Sequence, residues 1–256
     1  MNIMIDSWYM MMRNLRQIAR SPFIIAINLI QPILYMLLFS SIFTNVVQLP
    51  GFEADAYIDF LSPGIVVMST LTAGSYAGMG ILSDYRQGVL QRFLVTPIHR
   101  SSIIIGFLSQ HVVTLMVQAS MMIGLAFVMG ARFEGGLSGI AILLLCSVLL
   151  GVSFGALSIA FAIIIRQEEG LTSIVAFSTM PLLFISGLFM PLQLVPNWVQ
   201  TLAGFNPVNW AIEASRGALT MSINGSIWIP VGYLIIFTVV ALGLATYAFY
   251  RYQRSV

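Results

Sequence analysis

Residues 137–165 read LSGIAILLLCSVLLGVSFGALSIAFAIII, and this stretch decides the fold. It carries no charged side chain. A bilayer core about 30 Å thick takes about 20 mainly apolar helical residues to cross, and this run exceeds that length. Its apolar residues run continuously instead of alternating, which argues against a strand of a membrane barrel. Lipid offers no partner for backbone N–H and C=O groups, so the stretch must satisfy them internally, as a helix.

Five more charge-poor stretches flank it, at roughly 23–47, 58–82, 103–129, 171–189 and 227–250. The expected fold class is therefore an all-α integral membrane protein with six transmembrane helices. No internal repeat, linker or low-complexity segment divides residues 1–256, so one domain is expected.

Composition agrees. Of 256 residues, 59% are hydrophobic and 8% charged. A soluble domain has about a quarter of its residues charged, so this chain lacks the polar surface to face water. The net charge of +2 is scattered, with no basic stripe for nucleic acid. All 11 basic residues are arginine. A phosphate-binding loop and a Schiff-base site both need lysine, so neither fits this chain. If ATP drives the protein, another subunit must bind it. The single cysteine, Cys146, offers no disulfide or thiolate metal site and reads as a buried small hydrophobe. The first 20 residues lack the uninterrupted apolar core and cleavage site of a removable signal peptide.

Arginine placement predicts orientation. With six spans, Arg13, Arg16, Arg20, Arg86, Arg92, Arg100, Arg166, Arg251 and Arg254 fall on one side, and only Arg132 and Arg216 on the other. The arginine-rich side is expected to be cytoplasmic, and both termini with it.

The N-terminal 21 residues set Trp8, Met12, Leu15 and Ala19 at helical spacing, with Arg13, Arg16 and Arg20 on another face. That pattern suits an amphipathic interfacial helix with its cations near anionic lipid headgroups. It also suits a solvated tail that helps set topology. Residues 190–220 are interrupted by Pro191, Pro196, Asn197, Asn206, Pro207, Glu213 and Arg216, so no full crossing fits there. Two short helices, near 197–204 and 208–219, are expected to re-enter or cap the extracellular mouth, since irregular backbone at membrane depth needs protein or water to satisfy it.

The most polar internal stretch, residues 83–100, reads SDYRQGVLQRFLVTPIHR. Val89, Leu90, Phe93 and Leu94 share a helical face, and Thr96–Pro97 ends the helix because a residue before proline resists helical dihedrals. Such a helix is made to dock in a partner's groove, or else is a solvated loop whose arginines only set topology. Asp84, Gly88, Leu90, Arg92, Leu94, Thr96 and Pro97 resemble the cytoplasmic signature of type-2 ABC transporter permeases. Pro191, Pro196, Trp198, Asn206, Pro207 and Arg216 fit the order of that family's short helices before the last span. The resemblance covers essentially the whole chain. It implies the permease subunit of an ATP-driven exporter in the bacterial cytoplasmic membrane, not itself an enzyme. A separate cytoplasmic ABC ATPase would bind ATP and Mg, and a second permease copy or paralogue would complete the pathway. The resemblance also gives residues 83–100, with Arg86 among them, the role of coupling to the ATPase. Residues 190–220 become the extracellular gate.

Polar residues within the spans are candidates for lining the path. Asn28 and Gln31 share one face, and Gln110, Thr114 and Gln118 another, beside His111. They serve equally as hydrogen-bonding glue between helices. No acidic residue lies deep in a span, which argues against a proton-coupled carrier. Gly151, Ser153 and Gly155 spell a nucleophile pattern, but a mid-span serine without a strand-to-helix turn is not one. The same stretch, like Gly74 and Gly78, is a G-x-x-x-G packing motif. The cargo expected of a short, mostly apolar lining is an amphipathic drug, antibiotic or lipid-like molecule. The alternatives are a polysaccharide or glycolipid, or an ATP-independent secondary carrier.

Overall fold

The computed structural model describes residues 12, 22–44, 47, 56–87, 100–220 and 227–253. Its α-helices are α1 (Pro22–Ile42), α2 (Tyr57–Ser75), α3 (Gly78–Arg86), α4 (Arg100–Val128), α5 (Gly136–Ile165), α6 (Glu168–Phe184), α7 (Asn197–Gly204), α8 (Pro207–Leu219) and α9 (Trp228–Gln253). A 3-10 turn, Leu192–Leu194, precedes α7. No strand occurs among the described residues.

Among the described residues, four segments are long and apolar enough to cross a membrane: Tyr57–Asp84, Gly106–Val128, Gly136–Ile165 and Trp228–Arg251. α1 adds a shorter apolar helix, Leu29–Ile42. α6 differs from the stretch expected at 171–189. It starts earlier, where Glu168 and Glu169 in the first turn complement the helix dipole, and is 17 residues long. It stops at Phe184, ahead of Gly187 and Pro191, which do not favour helix.

α5 is apolar all round: one flank is buried against its neighbours, while Leu137, Leu145, Phe161 and Ile164 are exposed, as suits a helix that faces both protein and lipid. It packs on α2, α3, α4, α6, α8 and α9. Gly74 and Gly78 meet Gly151 and Ser158 in that order, so α2 and α3 run parallel to α5. Leu115 and His111 meet Gly151 and Gly155 in reverse order, so α4 runs antiparallel. On another side of α5, Ala156 and Ala160 pack with Ala241 and Ala245 of α9. Two small-residue seams thus let three neighbours approach one axis closely.

The stretch expected as one helix over 58–82 is broken at Tyr76–Ala77. Ala77 N–H reaches back to Gly74 O and Met79 N–H to Tyr76 O, the shorter bonds of a 3-10 turn. The Gly78 N–H leaves the helical ladder altogether and donates to Ser158 Oγ, 3.1 Å away.

Leu61, Ile65, Leu71, Leu115, Met122 and Leu150 are fully buried. Outward faces are apolar too: Ile30, Leu34 and Leu38 of α1, and Ile236, Val239 and Leu244 of α9, are exposed. Apolar surface this extensive suits lipid as the solvent, not water. The chain is an integral membrane protein.

Candidate functional site

One end of the bundle gathers α2's start, α8 and the chain leaving α6. That chain turns irregularly over residues 185–190, which leaves carbonyls without helical partners. Side chains from elsewhere satisfy them. Asn206 Nδ2 donates to Leu182 O (2.7 Å) and Ile185 O (3.0 Å), while its Oδ1 accepts from Val208 N–H and caps α8. Pro207 supplies the first residue of α8, where its missing N–H costs nothing. Arg216 donates through Nε to Phe60 O (3.0 Å), through Nη2 to Leu188 O (3.0 Å) and through Nη1 to Gly187 O. Its guanidinium lies 3.5 Å above the Phe60 ring centroid. Tyr57 Oη donates to Phe189 O (2.8 Å). Asn209 Oδ1 accepts from Gly187 N–H (3.0 Å), and its Nδ2 donates to Glu213 (2.8 Å). At the same end Asp59 Oδ1 accepts from Arg132 N–H at 2.6 Å.

This knot brings Asn206, Pro207 and Arg216 together. Pro191 is buried beside it, whereas Pro196 starts α7 and is exposed. Trp198, Leu202 and Phe205 form an exposed apolar face along α7. Tyr57 and Asn209, absent from the sequence candidates, also belong to the knot. Asn209 had a signal, an amide one turn before Glu213 in a segment of irregular neighbours.

The other end carries the charges that close α3 and open α6. Arg86 Nη1 lies 2.9 Å from Glu168 Oε1. Asp84, two residues before Arg86, is buried. Arg166 takes the left-handed conformation (φ 57°) that turns the chain from α5 into α6, and its N–H bonds Ala162 O. Gly88, Leu90, Arg92, Leu94, Thr96 and Pro97 lie outside the described residues, as do Arg13, Arg16 and Arg20.

The polar residues of the spans divide between exposure and glue. Gln31 is exposed and donates to Tyr35 Oη at 3.1 Å; Asn28 lies in α1, its side chain outside the described set. Gln118 is buried and donates to Ser69 O, tying α4 to α2. Gln110 and Thr114 bond each other along one helix. His111 is buried against Gly155, and its Nε2 meets no hydrogen-bond partner among the described residues. Ser153 Oγ pairs with Thr238 Oγ1 at 2.8 Å, a link between α5 and α9. No group of His, Cys, Asp and Glu among the described residues could hold a metal ion.

Membrane-length helices, a knot of irregular backbone at one end and a charged junction at the other are those of a polytopic membrane protein. The profile of the ABC-2 type transporter family matches residues 6–220, and the chain belongs to that family. It is similar to the daunorubicin resistance ABC transporter permease protein DrrB1 of Streptomyces coeruleorubidus, at 25% identity over 73% of this chain and 65% of that protein. It is 31% identical to the putative transport permease ycf38 of Porphyra purpurea, over 78% of this chain and 69% of that protein. A probable doxorubicin resistance ABC transporter permease protein, DrrC, of Mycobacterium tuberculosis is 24% identical over 82% of this chain and 74% of its own length. The chain therefore spans about two thirds of the length of the relatives it matches.

Proposed function

We propose that this chain is the membrane-spanning permease subunit of an ATP-driven exporter that moves an amphipathic drug, antibiotic or lipid-like molecule outward. The family match over residues 6–220 carries the reading. Two relatives, one named as a daunorubicin resistance permease and one as a probable doxorubicin resistance permease, support the cargo class. α1 and α6 complete six spans with the four longer helices. The charged end, with both termini, faces the cytoplasm of a bacterial cell, and the Asn206–Arg216 knot with α7 and α8 forms re-entrant helices at the external mouth. Residues 83–100 dock on a separate ABC ATPase, which binds ATP and Mg. A second permease copy or paralogue covers the apolar faces of α1 and α6.

Affinity capture of the full chain in mild detergent, followed by an ATPase assay and reconstitution, tests this. Recovery of an ATPase subunit near one-to-one, with hydrolysis altered by amphipathic drugs, is the expected result. Recovery of the chain alone, with flux in liposomes lacking ATP, sinks the proposal in favour of a secondary carrier.

A further inference from the structure

α6 is tied by polar groups at its two ends, with few buried residues between them. Along its length only Leu171 and Val175 are buried. At its start Glu168 pairs with Arg86, the last residue of α3. At its finish Asn206 holds the carbonyls of Leu182 and Ile185, and Arg216 those of Gly187 and Leu188. α3 itself is a nine-residue helix set off from α2 by the break at Tyr76–Ala77. Residues 88–99 follow it directly in the chain. On the far side of Glu168, only Arg166 and Gln167 separate α6 from α5, and the left-handed Arg166 makes a sharp corner there.

A displacement of α3 therefore has two outlets. One runs into α5, but Gly74 and Gly78 already touch the backbone of Gly151 and Ser158, and close-packed contacts of this kind resist sliding. The other runs into α6, a helix with few buried contacts to break, through the ion pair and through Met79 of α3, which packs on the cluster of Ala162, Leu171 and Val175. A hydrogen-bonded helix carries displacement along its axis; α6 lacks one ladder bond, at Pro181 in its last turn, and beyond it the far end sits in the knot. We infer that α6 is the rod that carries movement from the end of α3 to the Asn206–Arg216 knot, with the Arg86–Glu168 ion pair as its joint. Arg86 and Glu168 are positioning residues in this scheme; they touch no cargo. The inference rests on the proposed coupling to an ATPase.

The test uses the full chain with its co-purified ATPase subunit, in nanodiscs, on a Cys146→Ala background. Spin labels at Leu137→Cys and Phe184→Cys, both exposed, report movement of the α6 terminus against α5. A second pair, Leu137→Cys with Gln87→Cys, reports movement at α3. Addition of MgATP is expected to shift both distances. Arg86→Glu and Glu168→Arg should each reduce the population shifted at Phe184→Cys by roughly two- to fivefold, the range open to a pair whose side chains are 49% and 43% exposed, and leave the shift at Gln87→Cys intact. The combined swap, Arg86→Glu with Glu168→Arg, should restore it, and Arg86→Lys should keep it. Should the single swaps fail to insert, Glu168→Gln gives the same reading with less disruption. An undiminished shift in the single variants, or a loss that the combined swap does not restore, overturns the inference. A shift at Gln87→Cys that never reaches Phe184→Cys in the unswapped protein overturns the inference alone. Absence of an ATPase subunit from the preparation overturns the parent reading and the inference with it.

Discussion

Gly74 and Gly151 meet backbone to backbone: a Cβ built on Gly74 would stand 2.9 Å from the Gly151 Cα and closer still to its carbonyl oxygen. Real side chains essentially never approach that closely, so the crossing of α2 and α5 exists only because both residues are glycine. One turn on, Gly78 stands against Ser158 in the same way. These contacts fix where the broken segment α2–α3 lies along the central helix.

Enlarging Gly74 should therefore cost far more than enlarging a glycine in open space. Gly74→Val is expected to destabilise the bundle by about 2 kcal/mol or more, the upper range for overpacking. Gly124 has nothing within 4 Å of a built Cβ, and Gly124→Ala should leave stability unchanged or slightly raised. Thermal unfolding in detergent, followed by tryptophan fluorescence, compares the two.

Asn206 serves two helices with the two ends of one amide, so its substitutions should separate the roles. Asn206→Asp keeps an acceptor for the Val208 N–H but cannot donate to Leu182 O and Ile185 O. Asn206→Ala loses both functions, with about 1 kcal/mol from the cap alone. The expected order of stability is wild type, then the aspartate variant, then the alanine variant, read from midpoints of denaturant unfolding. Equal losses in the two variants would mean that only the donations to α6 matter.

Arg216 should tolerate no replacement that shortens its reach. Its guanidinium serves three carbonyls from two separate segments, a geometry that lysine's single ammonium cannot reproduce. Arg216→Lys is expected to cost about 1–3 kcal/mol through the acceptors left unsatisfied, and Arg216→Leu more. Proteolysis with an added protease should then cut within residues 185–190 faster in both variants. An unchanged cleavage rate would detach Arg216 from the order of that segment.

The elements signalled by local chemistry were legible in the sequence. Pro196 and Asn197 mark the start of α7, and Asn206–Pro207 the start of α8, because caps and prolines act on the residues beside them. The glycine pairs announced close packing, yet not that they pack on each other, since each motif states its own size and nothing about its partner. The break at Tyr76–Ala77 was hidden for the same reason: two residues of apolar character fit a continuous span, and the diverted Gly78 N–H depends on Ser158 from a distant helix. By charge Arg216 is one of two cations on the outer side, and by resemblance a residue of the gate, whereas its partners, three distant carbonyls, carry no signal in the sequence. Glu168 carries no motif of its own, and its pairing with Arg86 depends on the α5–α6 corner at Arg166. The coupling residues from Gly88 to Pro97 were read from resemblance and lie outside the described residues.

Orientation can be read directly by labelling. On a Cys146→Ala background, Glu134→Cys stands in the short connection between α4 and α5, and Gln167→Cys in that between α5 and α6, at opposite ends of the longest helix. A membrane-impermeant maleimide added to intact cells is expected to label the first and spare the second until the cells are opened. The reverse pattern would invert the arginine-based assignment and move the Asn206–Arg216 knot to the cytoplasmic face.

Gly88 tests the coupling role without touching the membrane core. It stands two residues beyond the end of α3, in the segment whose resemblance assigns it to ATPase docking. Glycine there gives the chain a range of dihedrals that a β-branched side chain forbids. Gly88→Val is expected to leave insertion and ATPase recovery intact while lowering cargo moved per ATP hydrolysed by about fivefold or more, the scale of a typical coupling energy. Gly88→Ala should lie between the two. The ratio of transport to hydrolysis, measured in the same liposomes, is the quantity to follow, because a simple loss of assembly lowers both together. An unchanged ratio in the valine variant removes Gly88 from the coupling element. A fall in the ratio with hydrolysis preserved means that the ATPase still turns over against a permease it no longer drives.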